Sequence, residues 1–221
     1  MSAEFLKAFP MLEDVLIESW QEGMGVGNPY SNLLPSRAYG RPHSVANPII
    51  ACANRRCAWV QAQRDYHRRT ARMLTLSEKA ALKPFFESRI PDTARVKRVS
   101  LIENPSFYAD LDAMGIPPPF DFTQMEGITF VDTILVSDRH DASTETLVPL
   151  LFHELVHVVQ YALLGRDTFV ERYVLGWAEN GQDYFRIPLE SHAYDLQARH
   201  ESNPLQGFSV EAEVRRQLEL P

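Results

Sequence analysis

Apolar positions along the chain fall into a few separated blocks, each with its own period. From Ala3 to about Trp20 they recur at helical spacing with a break near Pro10, which predicts a bent amphipathic helix. The following stretch, GMGVGNPYSNLLPSRAYGRPHSVANP, is rich in Gly, Pro, Asn and Ser and reads as a long irregular connection. Helical spacing returns from about Ile49 to Leu74. There Cys52, Trp59, Tyr66 and Met73 recur every seven residues and predict a buried stripe. Arg64, Arg68 and Arg72 line another face of the same helix, which reads as solvated. A short helix from Ser77 to about Glu87 follows Thr75 and bends or ends at Pro84.

Beyond Pro91 the period changes. RVKRVSLIE has strand-like residues, and a turn-rich segment leads to GITFVDTILVS, Gly127 to Ser137, the best strand candidate in the chain. Asp138 to Ser143 supplies a turn and a helix start. Thr144 to Leu164 is a strongly apolar helix closed by Gly165. Two further helices are expected near Thr168 to Glu179 and Leu189 to Glu201, and the tail from Asn203 reads as peripheral.

Composition narrows the function classes. The 221 residues suit one sizeable domain, or a core with a helical appendage. A net charge of −7 argues against general attraction to nucleic acid or anionic membrane. The N-terminal MSAEFLKAFPMLEDVL lacks the basic start and unbroken apolar core of a signal peptide. No apolar run is read as approaching the roughly 20 residues of a membrane span, so a cytoplasmic address is expected. Cys52 and Cys57 are too few for a disulfide framework or a zinc knuckle and read as reduced packing residues. The Gly23, Gly25, Gly27 spacing hints at a phosphate loop, but it follows a helix and no Lys-Ser/Thr pair succeeds it.

The chemistry is concentrated in LLFHELVHVVQYALLG. His153 and His157 are four apart, so both imidazoles project from one helix face and can bind a single tetrahedral zinc ion. Glu154 lies about 100° around the helix, outside the ligand set but within reach of a water activated by the metal. Around them, Leu150, Leu151, Leu155, Val156, Val158, Val159 and Leu163 leave few polar positions. Two histidines and a glutamate in so buried a helix are costly unless paired or bound to metal. Gln160, one turn past His157, either lines the cleft or fixes a loop.

Zinc needs a third protein ligand. The metzincin pattern fails, because Gln160 and Leu163 stand where a glycine and a further ligand are required. Glu171, Glu179 and Glu190 are available, as is Asp167. Glu190 is favoured: Pro188 marks a helix start, Glu190 falls in the first turn, and small Ala193 lets that helix pack close to the metal helix. A donor for the developing oxyanion could come from Tyr173, Tyr184, Arg186, His192 or Tyr194, and the sequence does not choose among them.

With these residues the chain resembles a gluzincin-type zinc metallopeptidase. HELVHVVQ is similar to the HELxHVVQ helix of metallopeptidase domains in bacterial contractile-injection-system proteins and in small bacterial proteins. The resemblance covers roughly Thr75 to His200 and is sharpest over Phe152 to Gln160. It implies His153, His157 and Glu190 as ligands of one Zn2+ and Glu154 as general base. An edge strand before the helix would then pair with an extended peptide or protein substrate. One departure is evident: the best-known gluzincins carry an asparagine before the ligand glutamate and an aspartate four residues after it. Here those positions are Leu189 and Tyr194, with Asp195 one further, which leaves the orienting partner of a histidine unassigned.

The expected architecture is α+β and zincin-like, a small sheet over a central metal helix. Residues 1–74 form an N-terminal helical region packed on a metallopeptidase domain at 75–221, restricting access rather than adding chemistry. Peptide-bond hydrolysis is the expected reaction. A zinc-binding recognition or structural module without turnover, and hydrolysis of a non-peptide amide, are the alternatives.

Overall fold

The computed structural model describes residues 46–109, 120–140 and 143–220. The helix predicted at Ala3–Trp20, the Gly23–Gly27 spacing and the side chain of Cys52 lie outside the described residues. Among the described residues the fold is mixed α and β: seven α-helices, two 3-10 turns and one four-stranded sheet.

Helix α1 spans Ala46–Arg68 and is followed by strand β1, Arg72–Met73. The predicted helix to Leu74 is therefore too long by about six residues, and its seven-residue stripe does not hold. Tyr66 is 67% exposed and Met73 50% exposed, whereas Cys57 and Val60 are buried. A straight α-helix drifts relative to a seven-residue repeat, and Met73 belongs to another element. Cys57 is a free thiol. Burial, then Asp167 beside it, push it up to about 11, so it packs rather than reacts.

The arginine face is likewise not simply solvated. Arg64 Nε and Nη2 donate to Asp132 at 2.8 and 2.9 Å, and Arg68 Nη1 lies 3.0 Å from the same carboxylate. Arg72 makes a two-pronged bond to Glu78 at 2.7 and 2.8 Å. Glu78 also closes a capping box with Thr75, which starts helix α2, Leu76–Leu82, just ahead of Pro84. A single turn, α3 (Arg89–Thr93), then leads into strand β2, Arg95–Val99.

The run expected as one strand folds back on itself. β3 (Gly127–Phe130) and β4 (Thr133–Ser137) form an antiparallel hairpin around Val131 and Asp132. Val131 has φ +62°, an uncommon conformation for a β-branched residue. Nothing in "VD" announces such a turn. Contacts from remote parts of the chain hold it: Arg64 and Arg68 grip the Asp132 side chain, and Arg95 N donates to its carbonyl at 2.9 Å. Strand order is β1-β2-β4-β3, with β2 and β4 parallel and the other pairs antiparallel. β3 therefore ends the sheet, and it lies against the long helix α4, Thr144–Leu164.

Ser143 caps α4, accepting from Thr146 N, and Gly165 (φ +74°) turns the chain directly into α5, Arg166–Glu179. The Thr146–Leu164 segment, 19 residues at mean hydropathy 1.5, is long and apolar enough to cross a membrane. That corrects the expectation that no run approaches this length. Most of it is buried, under β3, α2, α3 and α5 together with α6 (Pro188–Ser202) and α7 (Val210–Gln217). Leu151, Phe152, Leu155 and Val156 are wholly buried, so α4 is the core helix.

The tail is not peripheral. Val210 and Val214 are fully buried, Val210 N donates to Phe85 O, and the Glu211 carboxylate accepts from Glu87 N at 2.9 Å. Its two valines, four apart, complete the core beside Phe85, Phe152 and Phe208, whose rings meet edge-on or tilted.

Candidate metal centre

Two helices build the centre. α4 presents His153 and His157 one turn apart, and α6 presents Glu190 in its first turn, set there by Pro188 at the helix start. All three side chains are buried. His153 Nε2 and His157 Nε2 are 3.1 Å apart, and Glu190 Oε2 lies 3.3 and 3.4 Å from them. Ligand atoms placed 2.0–2.1 Å from a tetrahedral zinc would stand roughly 3.3 Å from one another. The observed triangle has that size.

Ring tautomers follow from the outer contacts. Gln160 Nε2 donates to Leu189 O at 3.0 Å, which turns its carbonyl oxygen towards His157 Nδ1 at 2.8 Å. Gln197 Nε2 donates to Glu201, which turns its carbonyl oxygen towards His153 Nδ1 at 3.0 Å. Both Nδ1 atoms therefore carry hydrogen, and both Nε2 lone pairs point at the same spot. Glu190 Oε2 points there too and is a buried oxygen without a hydrogen-bond partner, while Oε1 accepts from Tyr173 at 2.8 Å. Three converging lone pairs repel unless a cation sits among them. His153, His157 and Glu190 thus fit a metal ion, and they are the group among the described residues placed to hold one.

Charge coupling points the same way. Burial would raise the Glu190 pKa, but His157 and His153 opposite it hold the carboxyl well below the usual carboxylate range. Burial would lower His157, yet Glu190 and then Glu154 hold the imidazole up to about 9. In the ion-free protein a proton takes the place of the cation. Uptake of a divalent metal ion near pH 7 must displace it, so calorimetric titration in buffers of different ionisation enthalpy should report release of about one proton. The release should shrink as pH rises through 9. A proton count near zero at pH 7 would contradict this coupling.

Glu154 faces the other way, towards β3. Thr129 Oγ1 donates to its Oε2 at 2.7 Å and to its backbone carbonyl at 3.1 Å. Gly127, two residues earlier on the same strand face, leaves room for Oε1, since a Cβ there would stand 2.5 Å from it. Burial raises the Glu154 pKa, against the opposing pull of the two histidines and Thr129. A buried carboxylate with raised basicity is suited to taking a proton.

The remaining candidates separate clearly. Glu171 and Glu179 are exposed, and Asp167 pairs with Arg166 at 2.7 Å. Tyr173 and Tyr184 line the cleft beside Glu190, and the Tyr194 ring lies 4.5 Å from that of His153. Arg186 is exposed on its 3-10 turn, paired with Asp183. His192 is half-buried among Asp195, Glu213 and Arg216, and burial depresses its pKa. Gln160 neither lines the cleft nor holds a loop; it ties His157 to the first turn of α6. Reasoning from sequence missed Gln197, Thr129 and Gly127. Gln197 was reachable, being two turns beyond Glu190 on one helix face, and Gly127 and Thr129 alternate onto one face of β3. Trp59 and Val60 of α1, also missed, form part of the cleft wall.

Comparison with protein-family models, with curated proteins and with solved structures gives no match to this chain.

Proposed function

We propose that the protein is a zinc-dependent hydrolase of peptide bonds, with a gluzincin-like site of His153, His157 and Glu190 as ligands and Glu154 as general base. The observation that carries this reading is the tetrahedral spacing of the three ligand atoms with a fourth, differently oriented carboxylate beside them. When bound, zinc supplies Lewis acidity and lowers the pKa of water. Glu154 takes the proton of the attacking water on its carboxylate and passes it to the departing amine nitrogen. Thr129 holds the carboxylate in place and Gly127 keeps its space clear. Tyr173 fixes Glu190. Tyr184, which lines the cleft, and Tyr194, whose ring lies 4.5 Å from that of His153, are the phenols we assign to donate to the carbonyl oxygen as charge develops there. β3 ends the sheet and runs along the cleft, so an extended peptide can add to it as a further strand.

The test combines metal analysis with digestion. The pure protein should retain one zinc per chain and hydrolyse members of a mixed peptide pool, losing activity on chelation and regaining it with zinc. Hydrolysis of small N-acyl amino acids but not of peptides would assign the site to non-peptide amides. Stoichiometric zinc with no turnover of either class would favour a binding module.

A further inference from the structure

The metal centre is one end of a larger space. A cleft lined by Glu154, His157 and Glu190 is also walled by residues of α1, β3 and α5. Its apolar lining includes Trp59, Val60, Phe122, Phe130, Phe169 and Val170. Trp59 stands edge-on to Phe130 at 5.0 Å and tilted against Phe122 at 5.2 Å, which makes one packed aromatic wall. The titratable acid and imidazole groups of the lining are Glu154, His157 and Glu190, those of the metal centre and the carboxylate beside it.

We infer that the apolar part of this cleft is a specificity pocket that takes a large apolar, above all aromatic, side chain of the substrate; the inference rests on the hydrolase reading above. Edge-on ring contacts and apolar burial favour an aromatic guest. A charged guest would lose its hydration against Trp59, Val60 and Phe169 with no counter-charge to meet it. The wall is set partly by α1, so the region before residue 75 shapes what the site accepts.

The experiment is calorimetric titration of the zinc-loaded full chain with three amino-acid hydroxamates that differ only in side chain: benzyl, methyl and carboxymethyl. The benzyl compound should bind at least about tenfold more tightly than the methyl one, as apolar pockets discriminate by size, and the carboxymethyl compound should bind most weakly. Val170→Phe, which puts a larger side chain into the cleft lining, should bring the benzyl compound down to the affinity of the methyl compound. The wild-type ranking decides the matter even if that variant folds poorly. Equal binding of benzyl and methyl compounds, both lost on chelation, overturns the pocket and leaves the hydrolase reading standing. Failure of all three to bind zinc-loaded protein overturns both.

Discussion

Replacing Glu154 by glutamine is expected to lower peptide hydrolysis by about 10² to 10⁴, the usual contribution of a general acid–base group. Glutamine keeps the shape of the side chain and still accepts from the Thr129 hydroxyl on its carbonyl oxygen. It cannot take a proton from water. Zinc content should stay at the wild-type value, because His153, His157 and Glu190 are untouched. Thermal stability should hold or rise slightly, since a buried carboxylate whose ionisation burial disfavours has been replaced by a neutral amide. Chelator-sensitive kinetics and metal analysis on the same preparation separate the two effects. Near wild-type turnover in E154Q would remove Glu154 from the mechanism.

The second large effect is expected at Glu190. Glu190→Ala removes the sole anionic group of the triad and the acceptor of the Tyr173 hydroxyl bond. Loss of a residue that merely orients a ligand costs about 10- to 100-fold in metal affinity, so loss of a ligand itself should exceed that range. Zinc should leave during dialysis. With it goes the zinc-linked part of the stability, about 2.7 kcal/mol when zinc stands at a hundred times Kd. Glu171→Ala, at an exposed position on α5, is the control and should retain both zinc and stability. Retention of zinc by E190A and its loss from E171A would transfer the ligand role to Glu171.

What could be read from the chain follows how local each cause is. His153, Glu154 and His157 share one turn of helix, so spacing alone places them, and Pro188 places Glu190 by fixing where α6 begins. The boundaries of α4 were equally legible, from Ser143 before it and Gly165 after it. The hairpin was not, because its turn is held by Arg64 and Arg68, more than sixty positions earlier. Nor was the role of α7: Val210 and Val214 are its two large apolar side chains in a mostly polar stretch, and only docking against Phe85 reveals what they cover. The cleft wall was hidden for the same reason, since α1, β3 and α5 meet only in three dimensions.

The two histidine rings are steered by glutamine amides rather than by carboxylates. An amide has no proton to gain or lose across the physiological range, and its carbonyl accepts the Nδ1 hydrogen equally well in acid and in base. The two groups that touch the rings are therefore electrically silent. Acid must act elsewhere, so metal release on acidification should not follow the titration of either amide. The amides also add no negative charge, so within the ligand triad Glu190 alone would offset the charge of an incoming dication. An ion held by so few anionic ligands would stay short of electrons, which is the condition under which it would polarise a carbonyl most strongly.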